Sequence, residues 1–272
     1  MSQKNLPNPL QIALIGSPNA GKTTLFNRLT GANQTTGNWP GVTVEKKVGQ
    51  FKVNKHPAIL TDLPGVYSLE NNARSGLDEK VARDFLQSQP IDILINVVDA
   101  TCLERQLFLT TQLLHMGLPV VVALNQTDLL DENHLKIDIQ KLAGELGCPV
   151  FSLSAYTNEG VTDFKQKLPG LVKKRPPLHL NLPNTLHDSV HQIQDRLPDN
   201  QAQDTCWKAL HILVSPKDAP ADLQSFAQQH KQQLEAHYQE DLALITADLY
   251  FQFAHEATRL SLTRTDSLKR ST

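Results

Sequence analysis

Short apolar runs alternate with longer amphipathic stretches through residues 10–170. The runs at 11–15, 58–61, 91–98, 120–124 and 150–153 have strand length, and the stretches at 22–29, 104–116 and 137–146 repeat apolar residues at helical spacing. This alternation predicts an α/β fold with a mostly parallel sheet. Residues 44–53 instead mix polar and apolar side chains in alternation, which predicts an edge strand with one solvated face.

After the cluster Lys173, Lys174, Arg175, Pro176 and Pro177 the strand signals stop. Leu186, Val190, Ile193 and Leu197 then fall at helical spacing, as do Leu242, Ile245, Leu249 and Phe253. The pattern therefore predicts two units, an α/β domain over 1–175 and an all-α helical domain over 176–272. The chain has no internal repeat.

Composition narrows the classes. With 40% hydrophobic and 20% charged residues the chain is an ordinary globular protein. Its 26 Lys and Arg against 28 Asp and Glu give a net charge of -2, with no electrostatic footprint for a nucleic-acid backbone. Three scattered cysteines, Cys102, Cys148 and Cys206, form neither a disulfide framework nor a zinc spacing, and are expected as buried thiols in a reducing compartment. No stretch approaches the roughly 20 apolar residues of a membrane span, so the chain as given is expected to be soluble.

The chemistry begins directly after the first strand. Gly16, Ser17, Pro18, Asn19, Ala20, Gly21, Lys22 and Thr23 complete the pattern G-x-x-x-x-G-K-[ST], followed by a helix that opens with Lys22, Thr23 and Thr24. Such a loop turns successive N–H groups toward a phosphate, and the helix dipole adds positive charge there. Lys22 is expected to reach the β- and γ-phosphates, and Thr23 to hold Mg²⁺. Asp62, Leu63, Pro64 and Gly65 form a D-x-x-G segment at a strand end. There the carboxylate serves Mg²⁺ and the Gly65 N–H serves the γ-phosphate.

Asn125, Gln126 and Asp128 follow the run at 120–124, at the sheet edge where a base would lie. A carboxylate at Asp128 accepts from guanine N1–H and N2–H₂, a pattern that adenine does not supply. Ser154, Ala155 and Tyr156 complete this base site, with the Ala155 N–H expected to face guanine O6. These residues resemble the translation-factor-related class of small GTPases over residues 10–170. Two departures stand out. Gln126 replaces the lysine of N-K-x-D that packs over guanine, which implies faster nucleotide exchange. Val66 stands where Ras-like enzymes carry the water-orienting glutamine.

GTPases with an apolar residue there resemble a potassium-activated group marked by an asparagine three residues before the P-loop lysine. Asn19 occupies that place, and the resemblance implies K⁺ beside the phosphates, offsetting developing charge; the alternative role is local loop stabilisation. The first switch is expected over 37–45, with Gly41 and Val42 beside Thr43, the second Mg²⁺ ligand. Trp39 is read either as an exposed sensor of loop ordering or as an aromatic packed on the domain.

The segments G-N-W-P-G-V-T-V-E, G-S-P-N-A-G-K-T-T-L-F-N-R-L-T-G and D-L-P-G-V-Y-S-L are similar to the N-terminal cytoplasmic domain of the FeoB-type ferrous iron transporters. The resemblance extends into the helical part through C-W-K-A-L-H-I-L and A-D-L-Y at 206–213 and 247–250. It implies a P-loop GTPase that binds GTP and GDP and hydrolyses GTP with Mg²⁺ and K⁺. It places Asn19, Lys22, Thr43 and Gly65 in catalysis. It also implies the cytoplasmic face of a bacterial inner membrane, the transmembrane portion of the same transporter as partner, and a possible homo-oligomer. The rivals are a soluble potassium-dependent GTPase of ribosomes or RNA, disfavoured by the acidic helical part, and a nucleotide sensor with little hydrolysis. His187 and His191, four apart on a predicted helix, have no evident third ligand and are read as a solvated helix face.

Overall fold

The computed structural model describes residues 8–31, 33–54, 56–70, 76–130, 135–173, 176–197 and 205–264. The chain enters through β1 (Leu10–Gly16) and α1 (Lys22–Thr30). It then forms a meander of β2 (Gln34–Asn38), β3 (Glu45–Val53) and β4 (His56–Asp62). After α2 (Leu77–Ser88) come β5 (Ile93–Asp99), α3 (Leu103–His115), β6 (Val120–Asn125), β7 (Leu135–Ile137), α4 (Ile139–Leu146), β8 (Val150–Ser152) and α5 (Val161–Lys167). The helical part contributes α6 (Asn184–Gln194), α7 (Thr205–Val214), α8 (Ala221–Tyr238) and α9 (Leu242–Ser261), and closes with β9 (Leu262–Arg264).

Seven strands form one sheet in the order β2-β3-β4-β1-β5-β6-β8. The run β4-β1-β5-β6-β8 is parallel, and β3 and β2 continue it antiparallel. Ile93–Val98 and Val120–Asn125 are buried throughout, because helices cover both faces of a parallel sheet and leave no solvated side. One core layer joins Leu25, Phe26 and Leu29 of α1 to Phe164 of α5, and the opposite layer holds Leu107, Leu113, Leu142 and Leu146. The predicted mostly parallel sheet of an α/β fold is thus observed.

Several boundaries differ from the pattern for physical reasons. The predicted edge strand is not at the edge: β3 pairs with β4 on one side and with β2 on the other, Thr36 opposite Lys47 and Asn38 opposite Glu45. Q-T-T-G-N carries no apolar alternation because it buries almost nothing, so hydrophobicity could not reveal it. β5 starts at Ile93 because the Asp92 carboxylate leaves the strand pattern to accept the Gln11 N–H at 2.8 Å. The predicted helix at 137–146 begins at Ile139. Asp138 caps it, accepting from Gln140 and Lys141 N–H at 3.1 Å each, and Ile137 belongs to β7.

Strand structure also does not stop at residue 175. β9 pairs antiparallel with β7, Ile137 opposite Leu262, and Asp138 N–H donates to Ser261 O at 2.8 Å. Helices α6, α7 and α8 share a second core around Leu186, Ile193, Leu210, Leu213 and Leu234, which Leu242 at the start of α9 joins. α9 instead packs on α3 and α4, with Ala254 and Ala257 inside the core of the α/β part. Leu178 N–H donates to Leu114 O at 3.1 Å, so the linker too lies along α3. Of the cysteines only Cys148 is buried; Cys206 is half-buried and Cys102, at the start of α3, is exposed, contrary to the expectation of three buried thiols. Among the described residues no helix is long and apolar enough to cross a membrane.

Candidate nucleotide site

The carboxyl ends of β1, β4, β6 and β8 all rise on one edge of the sheet, and the phosphate loop, the D-x-x-G segment and the two base segments each follow one of them. β1 delivers the loop 16–23. Gly16 lies against Val97 of β5 so closely that a Cβ would overlap the Val97 carbonyl. Asn19 has φ 66° and Gly21 φ 93°, left-handed conformations that asparagine and glycine tolerate and that turn the loop back on itself. At Gly21 a side chain would also collide with the Asn125 amide. α1 opens at Lys22, and Thr23 and Thr24 are exposed on its first turn.

Lys22 Nζ donates to Gly16 O at 3.0 Å and to Ser17 O at 3.2 Å, folding the ammonium across the loop mouth. Burial pushes this amine below its ordinary value, and Asp62 and Asp78 pull it back up. Gly65 sits against it, since a Cβ there would stand 3.0 Å from Lys22 Nζ. The D-x-x-G segment is tied to the phosphate loop by backbone: Leu63 N–H to Leu14 O at 2.9 Å and Val66 N–H to Gly16 O at 3.2 Å. Val66 is wholly buried, so this position packs the core and presents nothing to a water.

Asp62 ends β4 beside Lys22 and Lys47. Its Oδ1 is buried with no hydrogen-bond partner among the described residues, and burial raises the carboxyl to about 6 against the pull of both lysines. A buried carboxylate oxygen without a donor fits a cation, directly or through water.

The base motif is knit into the phosphate loop by two side chains, Asn125 and Gln126. Asn125 Nδ2 donates to Ala20 O at 2.9 Å, and Asn125 Oδ1 accepts the Ala155 N–H at 2.8 Å. Asn125 is buried, so both halves of its amide are satisfied by protein. The Ala155 N–H, expected beside guanine O6, is thus held in place by Asn125. Gln126, at φ 63°, reaches back to donate from Nε2 to Asn19 O at 3.3 Å. Thr127 Oγ1 donates to Leu153 O at 3.1 Å, and Asp128 is exposed in the turn that follows. Ser154 Oγ accepts the Thr157 N–H at 3.2 Å, and Tyr156 is 84% exposed.

The switch segment is a hairpin arm. Trp39 N–H donates to Val44 O at 2.9 Å and Val42 N–H to Trp39 O at 3.2 Å, with Gly41 at φ 74° and Thr43 exposed between them. Trp39 takes the packed alternative. It is buried, edge-on to Phe85 of α2 at 5.3 Å between centroids, with Lys46 Nζ 4.6 Å over its ring.

Three supporting residues had no signal in the sequence. Arg28 of α1 donates to Ala155 O at 3.0 Å and Tyr156 O at 2.8 Å, pinning the loop after β8. Arg83 of α2 donates to Leu69 O and Glu70 O, both at 3.2 Å, while Gln112 of α3 accepts the Leu69 N–H at 2.8 Å. Together they fix the segment that leaves Gly65. Each acts on a backbone group distant in sequence, so no motif spacing records it.

Comparison with known proteins agrees with this geometry. The family model described as "Ferrous iron transport protein B" matches residues 10–168. The Fe(2+) transporter FeoB of Legionella pneumophila (strain Lens) is 40% identical over 248 residues, 91% of this chain and 33% of that protein. Its Escherichia coli O157:H7 counterpart is 51% identical over 157 residues, 57% of this chain and 20% of that one. The chain thus spans about a third or less of the length of these curated relatives. A solved S. thermophilus NFeoB mutant bound to GDP superposes with a TM-score of 0.83 at 36% identity, over 93% of this chain and 100% of that one. The cytosolic domain of L. pneumophila FeoB superposes with 0.81 at 37% identity, over the same shares. The fold is that of the P-loop GTPases, and the chain belongs to the ferrous iron transport protein B (FeoB) family.

Proposed function

We propose that this chain binds GTP and GDP and hydrolyses GTP, and that its nucleotide state regulates Fe²⁺ movement through a membrane portion like that of the full-length relatives. The observation that carries the nucleotide reading is Asn125, whose one amide fastens the base loop, the phosphate loop and the loop after β8 together. That bond set joins the loop that carries Asp128 to the loop that carries Lys22, which supports a single site for base and phosphates. The transport reading rests on family membership and on the names of the relatives.

In this reading Gly16, Ser17, Pro18, Ala20, Gly21 and the start of α1 surround the phosphates. Lys22 exchanges the Gly16 and Ser17 carbonyls for β- and γ-phosphate oxygens. Thr23 and Thr43 would hold Mg²⁺, with Asp62 acting through water, and the ion supplies charge neutralisation between the β- and γ-oxygens. Leu63 and Pro64 carry the chain from Asp62 to Gly65, whose N–H meets the γ-phosphate. Asn19 would place K⁺ against the same oxygens. Because Val66 is buried, the attacking water is oriented by backbone groups of the two switches. Asp128 selects guanine, Gln126 tethers the base loop where the lysine is missing, and Ser154, Ala155 and Tyr156 close the base edge.

Steady-state phosphate release in K⁺ and in Na⁺ buffer tests the potassium mechanism. Turnover is expected to be faster in K⁺ by about tenfold or more. Asn19→Gly, which keeps the left-handed turn while removing the amide, is expected to abolish that difference and leave GTP affinity within about threefold. Equal stimulation in this variant would overturn the Asn19 assignment. Absence of turnover in both salts would instead favour a nucleotide sensor.

A further inference from the structure

We propose that His187 and His191 form a two-histidine site for a divalent transition-metal ion on the exposed face of α6. The inference stands on the helical part and does not depend on the nucleotide or transport readings. The two residues lie one helical turn apart, where side chains meet. Their Nε2 atoms are 3.1 Å from each other, with ring centroids 4.3 Å apart and planes at 73°.

The nitrogen separation fits chelation once the exposed rings turn slightly about their side-chain bonds. An ion about 2.0–2.1 Å from each nitrogen needs the nitrogens roughly 2.9 Å apart in a cis-octahedral arrangement and roughly 3.3 Å apart in a tetrahedral one. A linear head-on hydrogen bond between the rings would separate the centroids by about 5.4 Å. At 4.3 Å and 73° the rings instead meet edge to face, with the two Nε2 atoms 3.1 Å apart. Behind His187, Asp188 Oδ1 stands 3.8 Å from Nδ1. That carboxylate adds a negative charge beside the Nδ1 edge of the exposed ring.

The chemistry of the donors sets the class of ion. Neutral imidazoles suit Fe²⁺, Co²⁺, Ni²⁺, Cu²⁺ and Zn²⁺, whereas Mg²⁺ and Ca²⁺ demand oxygen. The site is therefore chemically separate from the one at Asp62. Among the described residues no third histidine, cysteine or carboxylate joins the pair, so water completes the coordination and the ion exchanges readily. Both rings are exposed, which makes capture possible without any rearrangement of the helix.

The test is calorimetric titration of untagged whole chain, in excess Mg²⁺, with Zn²⁺ and anaerobically with Fe²⁺, paired with NMR of the histidine ring nitrogens. One metal event per chain is expected, with the Nε2 resonances of His187 and His191 shifted. His187→Gln and His191→Gln should each weaken that event by at least about tenfold, with far-ultraviolet circular dichroism unchanged. No binding up to roughly 1 mM metal, or an event retained in the double variant, would overturn the proposal.

Discussion

Asp62 shows how a single carboxylate can be costly in the free protein and useful in the loaded one. Its carboxyl is raised to about 6 by burial, above its unfolded value, so the folded chain binds the extra proton between those two values. Its contribution to stability is full below the unfolded value and is lost as pH rises through about 6. Asp62→Asn is therefore expected to stabilise the nucleotide-free protein at pH 7.5 by of order 1–3 kcal/mol, a gain that shrinks as the pH is lowered to 5. Thermal melts of both proteins at the two pH values check this, and the same variant should lose Mg²⁺-dependent nucleotide affinity. A residue like this was legible in sequence because D-x-x-G and G-x-x-x-x-G-K-T are local patterns. Arg28, Arg83 and Gln112 were not, since each acts through bonds to distant carbonyl or N–H groups that any residue type could have offered. Ala155 was legible as part of the base loop, but its bond to Asn125 was not, because spacing reports where an N–H sits and not which side chain reaches it.

At the scale of elements, α9 is what joins the helical part to the sheet domain. Tyr250 faces His115 of α3, its OH 2.9 Å from Nδ1, and Phe251 stacks on Phe108 at 4.2 Å. Burial lowers His115 to about 4, with His179 on the linker pushing the same way, and it raises the Tyr250 phenol. Because His115 is depressed below its unfolded value, its contribution is full above about 6.5 and is lost as pH falls from there through about 4. Tyr250→Phe should cost about 1–2 kcal/mol by leaving the buried imidazole without its hydroxyl, lowering the melting temperature by about 2–8 °C. His115→Gln should flatten the loss of stability between pH 6.5 and 5 that the parent protein shows; an unchanged pH profile would contradict the account. The strands and helices that carry strong apolar periodicity were readable. β2 was not, because an edge strand of polar residues buries nothing, and β9 was not, because three residues hold no period.

For the whole molecule, the proline-rich linker marks a change of composition more than a mechanical break. Leu178 is bonded to α3, β9 completes a ladder with β7, and Ala254 and Ala257 lie in the core beside Leu107 and Leu142. A cavity lined by Leu69, Gln112, Trp207, Leu210, His211 and Tyr250 lies where the segment after Gly65 meets α7 and α9. The chain is accordingly expected to unfold in one calorimetric transition, and a fragment ending at Arg175 to melt at lower temperature than the parent with apolar α3 surface exposed. Two independent transitions, the first 175 residues melting as they do alone, would contradict this. The central claim remains that the loops on one sheet edge form a guanine-nucleotide enzyme, and substrate selection tests it most directly. Phosphate release from GTP and from xanthosine triphosphate should be measured for the parent and for Asp128→Asn. The parent is expected to prefer GTP and the variant xanthosine triphosphate, each by about tenfold or more, because the amide reverses the hydrogen-bond pattern that the base must match. A variant that keeps its preference for GTP would contradict the assignment of this site.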